Sequence, residues 1–126
     1  MSDERIRYFD VPILPESKNQ WQRMHWAKRQ RIKEAWEEMV WGYVNKTPRM
    51  PRPLDSVRCS LIVCWNKPGP LPDHHNLEMG FECVADGLVK AGIIRDDSGM
   101  QFVRGQLTLC PGDGSTLVVL RWEEKA

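Results

Sequence analysis

The chain has 126 residues, which is enough for one domain with a substantial core but too few for two. Its hydrophobic fraction of 41% and charged fraction of 28% are ordinary for a globular protein. No apolar run approaches the roughly 20 residues needed to span a bilayer. The amino terminus MSDERIRYFD is charged and lacks the apolar centre of a signal peptide. These features predict a single cytoplasmic domain over residues 1–126.

The sequence pattern predicts strands and helices in the order β-α-β-α-β-β. The alternating Arg5–Val11 predicts a first strand, residues 15–22 a polar loop, and residues 25–44 a helix with one apolar stripe. After a proline-rich linker at residues 47–55, the run Val57–Trp65 is apolar on both faces and predicts a central strand. The expected fold is α/β (α+β), with a single mixed sheet and two main helices.

A second helix is predicted from Asn76, as its N-cap, to Ala91, with Gly92 as its stop. Strands at residues 103–110 and 115–122 then flank Pro111-Gly112-Asp113-Gly114, a sequence typical of a β-hairpin. The four cysteines contain no Cys-x-x-Cys pair, so buried and reduced thiols are favoured over a zinc cluster or disulfides. The cysteines are Cys59, Cys64, Cys83 and Cys110.

The net charge of +1 conceals a basic segment with no acidic residue between positions 18 and 33. It favours an anionic partner, although a solvated helix face is an alternative interpretation. The residues predicted to contact phosphates are Lys28, Arg29, Arg31 and Lys33. The nearby Trp21 and Trp26 are candidates for stacking on unpaired bases, whereas core packing is the preferred interpretation of Trp36.

Clustered acidic and imidazole groups stand at both ends of the second helix. Asp73-His74-His75 precedes the helix and Asp96-Asp97 follows it, and bends of the chain at both ends would let Asp73, His75 and Asp97 converge. Carboxylate oxygens are preferred ligands of Mg²⁺, and a histidine shifts the preference towards Mn²⁺. Each group has a simpler interpretation, because Asp73 suits a helix cap and residues 96–99 suit a tight turn.

Residues 73–97, DHHNLEMGFECVADGLVKAGIIRDD, resemble the RusA family of Holliday-junction resolvases, which includes phage and prophage members. The family has an Asp-x-Asp-Asn-Leu segment, a helix with an inward Asp followed by Leu, an Ala-Gly near the helix end, and a closing Asp-Asp turn. The corresponding positions are Asp73, Asn76-Leu77, Asp86-Gly87-Leu88, Ala91-Gly92 and Asp96-Asp97. Upstream, Pro15-Glu16-Ser17-Lys18-Asn19 is similar to the Pro-Ser-x-Asn loop of the family. The segment Arg23-Met24-His25-Trp26 and the basic helix after it resemble the actinobacterial and phage branch of the family.

The resemblance implies a homodimeric, Mg²⁺-dependent endonuclease that resolves four-way DNA junctions by symmetric hydrolysis in recombination and repair. The metal ligands would be Asp73, Asp97, Asp96 and His75, where His75 occupies the second aspartate position of the motif. Glu82 stands where the family has a lysine near the scissile phosphate, and it would lend a carboxylate to the catalytic site. These two changes motivate an alternative, a RusA-like protein that binds branched DNA without cutting it. A third hypothesis is a small-molecule enzyme with a histidine-containing metal site, which would not need the basic helix.

Overall fold

The computed structural model describes residues 2–46, 53–96, 98 and 100–125. The strands are β1 (Ser2–Val11), β2 (Val57–Trp65), β3 (Phe102–Pro111) and β4 (Thr116–Lys125). The α-helices are α1 (Lys18–Arg23), α2 (Trp26–Lys46) and α3 (Met79–Lys90), and a 3₁₀ helix spans His74–Leu77. The predicted α+β class, the two long helices and the order of the main elements are confirmed.

The four strands form one mixed sheet in the order β1-β4-β2-β3. β1 and β2 pair antiparallel with β4, whereas β2 and β3 are parallel and joined by the crossover through α3. The predicted central position of Val57–Trp65 is therefore confirmed.

The predicted hairpin over residues 103–122 is wrong, because β2 lies between β3 and β4. The connection crosses the end of β2, where the amides of Gly112 and Gly114 donate to the carbonyls of Trp65 and Cys64 at 2.9 and 2.8 Å. A Cβ atom on Gly112 would overlap Cys64, so this glycine allows a close crossing over β2. The same sequence thus suits a tight hairpin turn and a crossing over a neighbouring strand.

The helices α2 and α3 pack against each other over the core face of the sheet. Trp36 is fully buried, as predicted, and the predicted stripe of the second helix is buried throughout. That stripe consists of Leu77, Phe81, Val84, Leu88 and Ala91. On the opposite face of the sheet, Tyr8 is 72% exposed.

Two local predictions are wrong. Residues 15–22 are not all loop, because the Ser17 hydroxyl accepts from the Gln20 amide and caps α1. Asn76 is not an N-cap, because the chain enters a 3₁₀ turn capped by Asp73 before α3 begins. Gly92 does end the second helix, with a φ of +77° that a glycine tolerates.

Candidate metal and DNA-binding surface

Asp73 caps the 3₁₀ helix that follows the long loop after β2. Its Oδ1 accepts a hydrogen bond from the His75 amide at 3.1 Å, and its carbonyl accepts from the Asn76 amide at 3.0 Å. The side chain is exposed. Since a carboxylate has lone pairs on both oxygens, capping leaves Asp73 with acceptor capacity for a further ligand.

His75 is exposed, and its imidazole lies close to the carboxylate of Glu78. The His75 Nδ1 lies 3.6 Å from Glu78 Oε1, and the imidazole is 85% exposed. His74 is exposed as well. Both imidazoles can therefore reach a ligand from solvent.

Arg104, which was not among the predicted site residues, lies near two glutamates that follow the 3₁₀ helix. Arg104 of β3 lies 4.0 Å from Glu78 and 3.8 Å from Glu82, and its guanidinium lies 5.8 Å from the centroid of the Phe81 ring. These contacts depend on the parallel pairing of β2 with β3, which brings β3 alongside the crossover helix. The sequence contains no local signal for that register, so Arg104 could not be identified from it.

The acidic turn after α3 is organised by side-chain hydrogen bonds. Asp96 Oδ1 accepts from the Ser98 amide at 2.7 Å, and Gln101 Oε1 accepts from the amides of Arg95 and Asp96. Hydrogen bonds from Ser98 lower the pKa of Asp96 below its ordinary value, since they stabilise the carboxylate. Asp97, the other predicted ligand in this turn, lies outside the described residues.

The basic residues at the start of α2 divide into two groups. Lys28 and Arg31 are exposed. Arg29 instead points into the structure, where Nη2 donates to the Gln22 carbonyl at 2.9 Å and the guanidinium lies 5.9 Å from the Trp21 ring. Lys33 lies 3.8 Å from Asp86 of α3. Two of the four predicted phosphate contacts are therefore engaged within the protein.

Helix α1 directly precedes the basic start of α2 and packs against the 3₁₀ helix that Asp73 caps. A shallow cavity of about 450 Å³ opens between α1 and α2. Its lining includes Arg23, His25 and Lys28, together with the acidic Glu16. Trp26 is 72% exposed in the same region. The basic and aromatic side chains and the Asp73-His75 segment thus belong to neighbouring elements.

In the part of the chain that the structure describes, no three His, Cys, Asp or Glu side chains form a group that could hold a metal ion. The described residues supply carboxylate oxygens of the kind that Mg²⁺ prefers, on Asp73 and Asp96. These residues therefore match Mg²⁺ in the type of ligand atom that they offer. Asp97, the remaining predicted carboxylate ligand, is not among the residues described.

No protein-family model and no curated protein matches the chain. Among the described helices, none is both long and apolar enough to cross a membrane.

Proposed function

We propose that the protein is a metal-dependent endonuclease that resolves Holliday junctions and other branched DNA. The observation that carries this proposal is the packing of α1, which directly precedes the basic start of α2, against the 3₁₀ helix that Asp73 caps. A charged surface that holds a DNA backbone is useful to a nuclease only when it adjoins the groups that act on the phosphate. The resemblance of residues 73–97 to the RusA family supports the same activity.

In this proposal the exposed cations bind the DNA backbone. Lys28 and Arg31 contact phosphates, and Trp26 stacks on a base that is unpaired near the branch point. Arg29 has a supporting part, because its contacts with Gln22 and Trp21 join the end of α1 to α2.

The proposed metal ligands are Asp73, Asp97 and His75, supported by Asp96. A bound Mg²⁺, or alternatively Mn²⁺, would lower the pKa of an attacking water and neutralise charge on the phosphate. Glu82 stands where the family has a lysine, and its negative charge cannot attract a phosphate. In this proposal the neighbouring Arg104 supplies the positive charge.

A symmetric substrate calls for a symmetric enzyme. A four-way junction offers two equivalent strands, and a homodimer presents two identical sites to them in one binding event. We therefore propose a homodimer acting in recombination and repair in the cytoplasm of a bacterium or of a phage-infected cell.

The test is cleavage of a synthetic four-way DNA junction in Mg²⁺ and then in Mn²⁺. Wild-type protein should produce paired symmetric nicks, and Asp73→Asn and Asp97→Asn should each lower the rate by a factor on the order of 100 or more. The control is Asp10→Asn, because Asp10 is an exposed carboxylate on β1 at the other edge of the sheet. Cleavage that survives both site substitutions would refute the proposed ligands.

The second candidate is a protein that binds branched DNA without cutting it. Both residues that depart from the family motif have charged neighbours in this chain, His75 beside Glu78 and Glu82 beside Arg104. This candidate predicts tight, salt-sensitive junction binding that Asp73→Asn leaves unchanged, with no nicks in either metal.

A further inference from the structure

Two cysteines lie side by side on adjacent parallel strands. Cys64 of β2 and Cys110 of β3 are direct partners in the strand register. Since Cys59, Leu61 and Val63 are buried on the helix side of β2, the strand alternation puts Cys64 on the other face. Its partner Cys110 shares that face.

The spacing of the strands suits a covalent bond between these residues. Neighbouring strands are about 4.7–4.9 Å apart, and disulfides join Cα atoms about 4.4–6.8 Å apart. The two thiols are close enough to affect each other, because after burial the neighbouring Cys110 side chain is the next cause of the raised pKa of Cys64. Both residues are half-buried, whereas Cys59 and Cys83 are buried.

The backbone amide and the backbone carbonyl of Cys64 both form hydrogen bonds with the β3–β4 connection. Its amide donates to the Ser115 carbonyl at 2.9 Å, and its carbonyl accepts from the Gly114 amide at 2.8 Å. The crossing of the β3–β4 connection over β2 therefore prevents a slip that would separate the thiols.

We propose that Cys64 and Cys110 form a redox-active dithiol that a hydroperoxide closes to an interstrand disulfide. The inference rests on the sheet register and is independent of the proposed nuclease activity. The thiols of Cys59 and Cys83 take no part, because both side chains are buried and closed to a hydroperoxide from solvent, whereas Cys64 and Cys110 are only half-buried.

The reaction balances with one hydroperoxide for each pair of thiols. One thiolate attacks a peroxide oxygen, an S–O bond forms as the O–O bond breaks, and the leaving oxygen departs as water or an alcohol after protonation. The neighbouring thiol then attacks the sulfenic sulfur, so the S–S bond forms and the S–O bond breaks with release of water. Two electrons pass from the sulfurs to the peroxide, and both thiol protons end on the oxygen products.

The disulfide would close a ring from residue 64 to residue 110, which contains the 3₁₀ helix, α3 and the acidic turn. Closing a ring of this size restricts the unfolded chain and should raise the melting temperature on the order of 10 °C.

The experiment treats the full-length native protein with hydrogen peroxide and maps its peptides by mass spectrometry without reduction. The expected product has lost two hydrogen atoms, carries a Cys64–Cys110 crosslink and melts at the higher temperature. Cys64→Ser and Cys110→Ser should each abolish the crosslink and leave a sulfenic acid that dimedone traps. The matched control Cys83→Ser should still form it.

A wild-type protein that forms no intramolecular crosslink, or that links any other pair of cysteines first, would overturn the proposal. The wild-type peptide map decides this alone, so the test does not depend on the folding of the serine variants. Because the readout is a bond and not cleavage of DNA, its failure is separate from a failure of the proposed nuclease activity.

Discussion

At the scale of single residues, a close contact between α2 and α3 depends on Gly87. A Cβ atom at this position would lie 2.8 Å from Val40 Cβ and 3.0 Å from Val40 Cγ1. Val40 is fully buried and its Cβ is attached directly to the helix backbone, so it cannot turn aside. The glycine thus lets the two helices pack at this distance.

We expect Gly87→Ala to destabilise the protein by up to about 2 kcal/mol. Overpacking a well-packed core costs about 1–3 kcal/mol, and the roughly 1 kcal/mol that alanine gains over glycine in a helix offsets part of that cost. The free energy of unfolding, measured by urea denaturation, tests this expectation.

Gly42 provides the matched control on α2. A Cβ atom there would meet nothing within 4 Å, so Gly42→Ala should keep the helical gain and stabilise the protein by up to about 1 kcal/mol. Equal changes in both variants would show that helix propensity alone governs the two sites.

The neighbours Lys28 and Arg29 show where single residues escape prediction from sequence. Both are basic and both precede the apolar part of α2, yet only Lys28 is exposed. The position of Arg29 depends on Trp21 and Gln22, which belong to a helix that was predicted as loop. A side chain that bonds to another element cannot be assigned before that element is known.

At the scale of elements, local patterning predicts the type of the long segments well. The boundaries of β2 were predicted correctly, and α2 extends only slightly beyond its prediction, because apolar spacing records which faces meet the core. The partners of the strands are not local information. Pro111-Gly112-Asp113-Gly114 predicted a hairpin, and only the register shows that these residues pass over β2.

The strand order makes a direct spectroscopic prediction. Amide and Hα contacts in nuclear Overhauser spectra should join β2 to both neighbours, for example Leu61 to Leu107 of β3 and to Val118 of β4. Direct β3–β4 backbone contacts along the strands should be missing, since β2 separates them. The internal control is the antiparallel pairing of Phe9 with Val118, which both a hairpin and the observed order allow. A continuous ladder between residues 103–110 and 115–122 would contradict this topology.

At the scale of the whole molecule, the net charge of +1 says little about where an anion would bind. The first turns of α2 expose Lys28 and Arg31, whereas the start of α3 carries Glu82 and is preceded by Glu78, and both carboxylates lie close to Arg104. An anionic polymer should therefore meet the protein at the α1–α2 end. The segregation of charge is visible in the sequence, but the contact between α1 and the 3₁₀ helix that Asp73 caps is known only from the fold.

The salt dependence of junction binding tests this arrangement residue by residue. Each cation that neutralises a phosphate contributes about 0.9 to the slope of log K against log salt concentration. Lys28→Ala and Arg31→Ala should each reduce the slope by about 1 and weaken binding to all sequences alike. Binding is measured by fluorescence anisotropy at several salt concentrations with a chelator present, so that no cleavage interferes.

Arg29→Ala and Lys46→Ala separate a local role from the effect of net charge. Lys46 is an exposed cation on the same helix, about 27 Å from Lys28 at 1.5 Å per residue, so its loss should leave the slope unchanged. Arg29→Ala should lower the free energy of unfolding, because it removes the contacts with Gln22 and Trp21, while it changes the slope by much less than 1. If all four substitutions reduced the slope equally, the protein would bind DNA through its overall charge and not through the exposed cations at the start of α2.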